Sequence, residues 1–263
     1  MQNMIIDFHA HLYPEKIAAK ASKAIGDFYN TSMSYNGTAE ELISSGSKIG
    51  VTKYLVHSAA TTEKQVQTIN DFIKSEVDAH SEFVGFGTIH PDYVDFENEL
   101  KRVVAMGLKG VKIHCDFQHF QIDCEKMDPI YETLTQMKLP ILIHAGDQRY
   151  DYDGPKRIRN VLEKHPGIIM IAAHFGGYTE WDEAMEYLVG QNVYFDTSST
   201  TWKCPYDKAN KMIKAHGADK FFFGSDFPMW DHEDEMARFN KLDLTAEERE
   251  MILYKNAQKF LDI

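Results

Sequence analysis

Cysteine, long apolar segments and positive charge are all scarce in this chain of 263 residues. Its three cysteines, Cys115, Cys124 and Cys204, form no Cys-x-x-Cys pair. This count and spacing argue against a disulfide framework and against a thiolate zinc site. We expect free thiols in a reducing compartment. Cys115 directly follows His114, so a nucleophilic role for it is open but disfavoured.

No apolar segment approaches the length of a membrane-spanning helix. The N-terminal sequence MQNMIIDFHAHL has no basic region and only a short apolar run, so we expect no signal peptide and a cytoplasmic protein. Lys and Arg number 28 against 40 Asp and Glu, and the formal net charge is −12. This negative balance disfavours nucleic acid and anionic membranes as partners. The expected partner is a small molecule, and a homodimer is the default assembly.

Eight short β-rich apolar runs alternate with segments of helical periodicity along the chain. The runs are MIIDFH, KYLVHS, FVGFGTIH, KGVKIH, LPILIHAG, IIMIAAHFGG, NVYFDTS and KFFFGSDFP. No linker-like sequence interrupts them, so we predict one domain over residues 1–263. The pattern predicts an α/β fold of the (β/α)8, or TIM-barrel, type. A doubly wound open sheet is the main rival, but the glycine-rich loop expected after its first strand is absent.

The connection between the first two strands is longer than one helix requires. We predict a helix, an irregular insertion at about residues 26–38, and a second helix before strand two. Elsewhere, Asp128 is a candidate N-cap with Pro129 in the first turn. Thr245 and Glu248 predict a capping box at the start of the last helix, TAEEREMILYKNAQKFL.

Histidine or aspartate stands at most predicted strand ends, where a βα barrel carries its active site. Seven of the twelve histidines are at these ends, and an aspartate ends strand eight: His9, His11, His57, His90, His114, His144, His174 and Asp226. A hydrogen bond to a backbone carbonyl explains one buried histidine, but explains seven converging ones poorly. A divalent metal would bind such imidazoles in their neutral form. Histidines with one carboxylate suit Zn, Mn, Fe or Co. The alternative role for Asp226 is to cap the turn that follows.

Five segments, DFHAHLYP, GVKIH, ILIHAGD, AAHFGG and GSDFP, occur in this order over nearly the whole chain. With them the sequence resembles the amidohydrolase superfamily, and within it amidohydrolase family 2, which includes the aminocarboxymuconate semialdehyde decarboxylase-like proteins. The resemblance implies one divalent metal ion, most often zinc, bound by His9, His11, His144 and Asp226. His174 would lie beside the metal-bound water. Binuclear relatives have a carboxylated lysine on strand four, and Lys112 lies near that place, so a second ion stays open.

The implied ligand set predicts a hydrolase that attacks an amide, ester or lactone carbonyl. A bound divalent ion lowers the pKa of water toward ~7. Asp226 would accept the proton from that water, and His174 would orient the water or stabilise the oxyanion. Two alternatives stay open: a non-oxidative decarboxylase, or carbon–carbon lyase, on the same scaffold, and a non-catalytic barrel that binds a small molecule.

Further candidates for substrate binding flank the strand ends. Lys112 and His114 are two residues apart on strand four and can both face the interior, or they can pair with rim carboxylates. Arg149 can bind a substrate carboxylate through two hydrogen bonds, or it can pair with a neighbouring aspartate such as Asp147. Trp202 is on a rim loop and can form part of the wall of an apolar pocket.

Overall fold

The computed structural model describes residues 4–263. Its strands are β1 (Ile5–His11), β2 (Val51–His57), β3 (Phe83–Gly85), β4 (Gly87–Thr88), β5 (Val111–Ile113), β6 (Ile141–Ile143), β7 (Met170–Ala172), β8 (Tyr194–Asp196) and β9 (Phe221–Phe222). Its α-helices are α1 (Glu15–Tyr29), α2 (Ala39–Ser47), α3 (Val66–Ala79), α4 (Phe96–Ala105), α5 (Cys115–Gln118), α6 (Asp128–Met137), α7 (Pro155–Lys164), α8 (Trp181–Tyr187), α9 (Tyr206–His216), α10 (His232–Phe239), α11 (Ala246–Glu250) and α12 (Asn256–Leu261).

The strands form a closed parallel barrel. β1, β2 and β3 pair in that order, and β4 to β9 pair in chain order. β3 and β4 are one stave divided at Phe86, whose N–H bonds to Val56, while the N–H of Gly87 bonds to Gly110 on the other side. The barrel closes where the Phe8 N–H donates to the Phe223 carbonyl at 2.8 Å. The predicted eight-stave TIM barrel is confirmed.

A change of register in β1 positions both the barrel floor and the two histidines. Ile6 and Phe8 belong to the inner apolar cluster, where Phe8 stacks on Phe222 with ring centroids 3.9 Å apart. The pairing with β2 shifts between Asp7 and Ala10, and beyond that point Ala10 and Leu12 belong to the outer layer under the helices. A bulge changes which side chains face inward. Apolar side chains therefore fill the floor, and His9 and His11 lie at the carboxyl end.

Three local predictions need correction. α1 continues to Tyr29, so residues 26–29 of the predicted insertion are helical; the helix ends where Asn30 takes φ = 50°. Asp128 is the first residue of α6, and the N-cap is Met127. The Asp128 carboxylate does not cap the helix; it binds Lys164 and His165. The capping box of Thr245 is confirmed, but a π-helical turn over Met251–Lys255 divides the last predicted helix into α11 and α12.

Within residues 4–263, no helix combines the length and the apolar character needed to cross a bilayer.

Candidate metal centre and active site

Three of the predicted metal ligands converge at the carboxyl ends of β1 and β9. Nε2 of His9 lies 3.2 Å from Nε2 of His11, and Oδ1 of Asp226 lies 3.5 Å and 3.4 Å from these two atoms. Donor atoms that share one ion at about 2.0–2.2 Å are roughly 3.0–3.6 Å apart. The three side chains therefore fit a single divalent ion.

His144 and His174 complete this cluster from β6 and β7. Nδ1 of His144 lies 3.1 Å from Nε2 of His174, and the His174 ring centroid lies 5.1 Å from that of His9. Nδ1 of His174 faces the carbonyl and the hydroxyl of Ser198, at 3.1 and 3.0 Å. A proton on Nδ1 of His174 can be donated to the Ser198 carbonyl, and the lone pair on Nε2 of His174 is then directed toward His144. The structure thus brings together all the predicted metal and catalytic residues.

Asp196, at the end of β8, fixes the tautomer of His9. Its Oδ2 lies 2.8 Å from Nδ1 of His9, and its Oδ1 accepts the N–H groups of His174 and Ser198, each at 3.1 Å. A carboxylate that accepts the outer N–H of an imidazole leaves the other nitrogen available as a ligand. The Nε2 lone pair of His9 is therefore directed into the cluster.

A buried carboxylate below the cluster joins β1 to the segment that carries Asp226. Asp7 accepts the N–H of His9 at 3.0 Å and the N–H and hydroxyl of Ser225 at 2.9 and 2.5 Å. Nε2 of His232, in α10, lies 2.9 Å from its second oxygen. The Asp226 N–H in turn donates to the His9 carbonyl at 2.8 Å. These bonds set the spacing between His9 and Asp226.

Burial favours the neutral form of four imidazoles in and beside the cluster. It lowers the pKa of His9, His11, His57 and His144 because the charged form loses its hydration. Burial alone would raise the pKa of Asp226, but the hydrogen bond with His11 and the nearby imidazoles outweigh it and lower that pKa. Neutral imidazoles around an ionised carboxylate are the protonation states that a divalent metal requires.

Asp226 also contacts a serine and, through it, a tryptophan. The Ser199 hydroxyl donates to Oδ2 of Asp226, and the Trp230 indole N–H donates to that hydroxyl at 2.8 Å. The Trp202 indole N–H bonds to the Ser199 carbonyl at 2.9 Å. Trp202 therefore helps to hold the loop beside Asp226, while its own side chain stays partly exposed.

The remaining candidates differ in position. Nε2 of His114 lies 3.0 Å from the hydroxyl of Tyr29. Lys112 is fully buried, its Nζ has no partner within residues 4–263, and burial lowers its pKa to about 8. Arg149 makes a two-pronged pair with Asp147 and donates to the Phe28 carbonyl at 2.6 Å, which is the alternative that the sequence left open. Substrate binding by these residues and by Trp202 stays a prediction.

Three other residues from the sequence analysis have clear surroundings. His57 lies beside His9 and His11, at ring distances of 4.8 and 4.5 Å, and neither of its nitrogens has a partner within the described chain. Nδ1 of His90 accepts the Asp92 N–H at 3.1 Å, and His90 lies two residues beyond the end of β4. Burial raises the pKa of Cys115, which disfavours a nucleophilic thiolate.

A cavity of about 930 Å³ opens directly onto the cluster. His11, His144, His174 and Asp226 lie at its inner end. Its walls include apolar and aromatic side chains of α1, α3 and the α5 segment, among them Ile25, Phe28, Tyr29, Ile69, Phe72 and Phe117. A polar inner end with apolar walls is typical of a small-molecule site.

Sequence reasoning missed several residues of the site: Asp7, Tyr29, Asp116, Asp196, Ser198 and Ser199. Asp196 had a usable signal, since it ends strand seven of the predicted barrel just as Asp226 follows strand eight. Tyr29 had none, because it reaches His114 from a helix 85 positions away in the chain.

The fold and the cluster define a TIM-barrel protein with a metal-binding site at the carboxyl ends of its strands. A family model for amidohydrolases matches residues 6–263. The chain therefore belongs to amidohydrolase family 2, as its five motifs predict. No curated protein matches the sequence significantly.

Solved structures share this fold at low sequence identity. An uncharacterised TIM-barrel protein from Bordetella bronchiseptica is 15% identical, with a TM-score of 0.81 and coverage of 98% of each chain. A 5-carboxyvanillate decarboxylase variant from Novosphingobium aromaticivorans, with bound manganese and 3-methoxy-4-hydroxy-5-nitrobenzoic acid, is 16% identical, with a TM-score of 0.78 and coverage of 99% of this chain and 97% of that one. A dihydroxybenzoic acid decarboxylase from a Polaromonas species, with bound manganese and the inhibitor 2-nitroresorcinol, is 16% identical, with a TM-score of 0.74 and coverage of 99% and 97%.

These structures contradict the hydrolase predicted from the sequence. Two of the three structures have a stated activity, and both are decarboxylases. This favours the decarboxylase alternative over hydrolysis. The physical reason for the error is that the same ligand set can activate a water molecule or bind a carboxylate. The five motifs contain the ligands, but the groups that select the reaction lie elsewhere.

Proposed function

We propose that this protein is a metal-dependent, non-oxidative decarboxylase of a small hydroxylated aromatic acid. The observation that carries the proposal is that His11 and Asp226, which lie beside His9 in the donor set, line the inner end of the apolar cavity. An aromatic acid fits such a site, with its carboxylate toward the ion and its ring between apolar walls. The substrates named for the two decarboxylases are hydroxylated aromatic acids, and the ligands bound to them are hydroxylated nitroaromatic compounds.

We assign the ion to His9, His11, Asp226 and His144. Manganese has the support of the two relatives, and zinc, the ion implied by the motifs, suits the same donors. When bound, the ion supplies positive charge that binds the substrate oxygens and favours negative charge on them. Sets of imidazole and carboxylate donors can accept either metal, so the metal content must be measured.

Loss of carbon dioxide leaves an electron pair on the ring carbon, and a proton must reach that carbon. We assign this transfer to Asp226, whose carboxylate contacts His9 and His11 and lines the cavity. Asp226 must first take a proton, which a substrate hydroxyl beside the carboxylate can supply, and the phenolate left behind regains a proton from water after carbon dioxide has left. His174, at the inner end of the same cavity, is placed to hydrogen-bond the substrate.

The test is carbon dioxide release from 5-carboxyvanillate and from dihydroxybenzoic acids, the substrates named for the two decarboxylases, by protein loaded with Mn or Zn. In deuterated water, deuterium should appear on the carbon that lost the carboxylate. D226N should lose about 10²–10⁴-fold in rate, measured beside its metal content. D78N, an exposed aspartate in α3, is the matched control and should keep full activity.

Failure to release carbon dioxide from any hydroxylated aromatic acid, with metal bound, would overturn the proposal. So would an undiminished rate in D226N. The absence of nucleic-acid partners, the cytoplasmic location and the homodimer stay predictions from the sequence.

A further inference from the structure

His114, Asp116 and His144 form a second buried cluster behind the metal centre, at the ends of β5 and β6. The three residues are 4%, 2% and 3% exposed. Oδ2 of Asp116 lies 3.6 Å from Nε2 of His144 and 4.0 Å from Nδ1 of His114. Within residues 4–263, neither Asp116 oxygen nor these two nitrogens has a hydrogen-bond partner. A buried carboxylate without donors is costly, so this cluster requires an explanation.

The other nitrogen of each imidazole is already engaged. Nδ1 of His144 faces Nε2 of His174 at 3.1 Å, on the side of the metal centre. Nε2 of His114 faces the Tyr29 hydroxyl at 3.0 Å, on the side of the cavity. A neutral imidazole has one N–H and one lone pair. If Nδ1 of His144 presents its lone pair to the ion, the proton is on Nε2, which points at Asp116.

The backbone around Asp116 is held firmly. α5 begins directly after His114, and Oε1 of Gln118 accepts the His114 N–H at 2.9 Å. The Gln118 amide nitrogen donates to the carbonyls of Ala60 and Ile89, at 2.9 and 2.8 Å. The two imidazole rings stack at 4.1 Å with an interplanar angle of 7°. Both separations from Asp116 are longer than a hydrogen bond, so forming both bonds requires the rings and the carboxylate to approach by less than about 1 Å.

We propose that Asp116 is a positioning residue that accepts Nε2–H of His144 and Nδ1–H of His114, so that one carboxylate sets the tautomer of both. It thereby directs Nδ1 of His144 toward the ion and the Nε2 lone pair of His114 toward the Tyr29 hydroxyl. This inference rests on the proposed metal centre. An outer carboxylate of this kind, when removed, costs about 10–100-fold in metal affinity.

The experiment measures Mn and Zn affinity by competition with a chelator, without any substrate. D116A should bind metal about 10–100-fold more weakly than the wild type. D116N should be intermediate, since its one amide oxygen can accept an N–H but carries no charge. The matched control is E99A, because Glu99 is another buried carboxylate and pairs with Asn70 and Arg102 rather than with an imidazole. Its metal affinity should stay close to that of the wild type.

A second readout is the tautomer itself, from long-range ¹H–¹⁵N spectra of the zinc-loaded protein. The wild type should show His144 protonated at Nε2 and His114 at Nδ1, and D116A should lose the Nδ1–H form of His114. Three results would overturn the proposal: unchanged affinity in D116A, equal weakening by D116A and E99A, or a second bound metal equivalent that D116N loses. If the wild type binds metal with this dependence on Asp116 but decarboxylates nothing, only the proposed function fails.

Discussion

The two halves of the site differ in how completely their polar groups are bonded. On the β1, β8 and β9 side, Asp7, His9 and Asp196 make short hydrogen bonds to one another and to the backbone. On the β2, β5 and β6 side, both nitrogens of His57, Nζ of Lys112 and both oxygens of Asp116 lack partners within residues 4–263. In the first half the fold itself supplies hydrogen-bond partners for these polar groups, while in the second half it does not.

The difference has an energetic meaning. Each buried polar group without a partner costs about 1–3 kcal/mol, so the β2, β5 and β6 side lowers the stability of the barrel. Such a cost persists where a bound ligand relieves it. The bonded half therefore holds His9 and Asp226 in place before any ligand arrives, and the unbonded half gains most from binding. Three predictions test this contrast.

The largest effect is expected from breaking the bonded half at Asp7. D7A leaves the buried donors of His9, Ser225 and His232 without their acceptor, so the free energy of unfolding should fall by about 3–5 kcal/mol. Urea unfolding of the metal-free protein measures this loss. D27A, which removes an exposed partner of Lys23, should change the stability by no more than about 0.5 kcal/mol. An equally small loss in D7A would show that the bonded half is not what stabilises this end of the barrel.

The same contrast explains how much the sequence predicts. His9, His11 and Asp226 were identifiable because parallel strands bring their carboxyl ends to one rim, whatever the loops do. Strand alternation likewise predicts the barrel. The division of one stave at Phe86 could not be predicted, because it depends on which neighbour accepts each N–H. The same holds for the contact of Tyr29 with His114 and that of Asp116 with His144, since loop paths decide both.

An intermediate effect is expected when metal binds. At 100 times its dissociation constant, the ion should raise the free energy of unfolding by about 2.7 kcal/mol. The contrast between the two halves also predicts which segments are stabilised. Amide hydrogen exchange should slow more over residues 114–118 and 144–147 than over β1, whose polar groups are already bonded. Mass-spectrometric exchange with and without Mn measures both segments in one experiment.

H119A, which removes an exposed histidine outside the cluster, is the control for this experiment and should respond to metal like the wild type. H11A removes a ligand of the proposed ion and should not respond. Uniform slowing over the whole barrel, or slowing confined to β1, would contradict the distinction between the two halves.

The smallest effect extends the contrast to a histidine outside the site. Both nitrogens of His216 are bonded, since Nδ1 accepts the Gly190 N–H at 3.0 Å and Nε2 donates to the Val193 carbonyl at 2.8 Å. Burial lowers the pKa of His216 to about 4, and a proton on Nδ1 would also oppose the Gly190 N–H. The native state therefore binds this proton less readily than the unfolded chain, whose pKa is near 6.5. The stabilisation is full above pH 6.5 and is lost as the pH falls toward 4, by about 2 kcal/mol at pH 5. Urea unfolding between pH 7.5 and 5 should show a shallower pH slope for H216Q than for the wild type, and identical slopes would contradict the assignment.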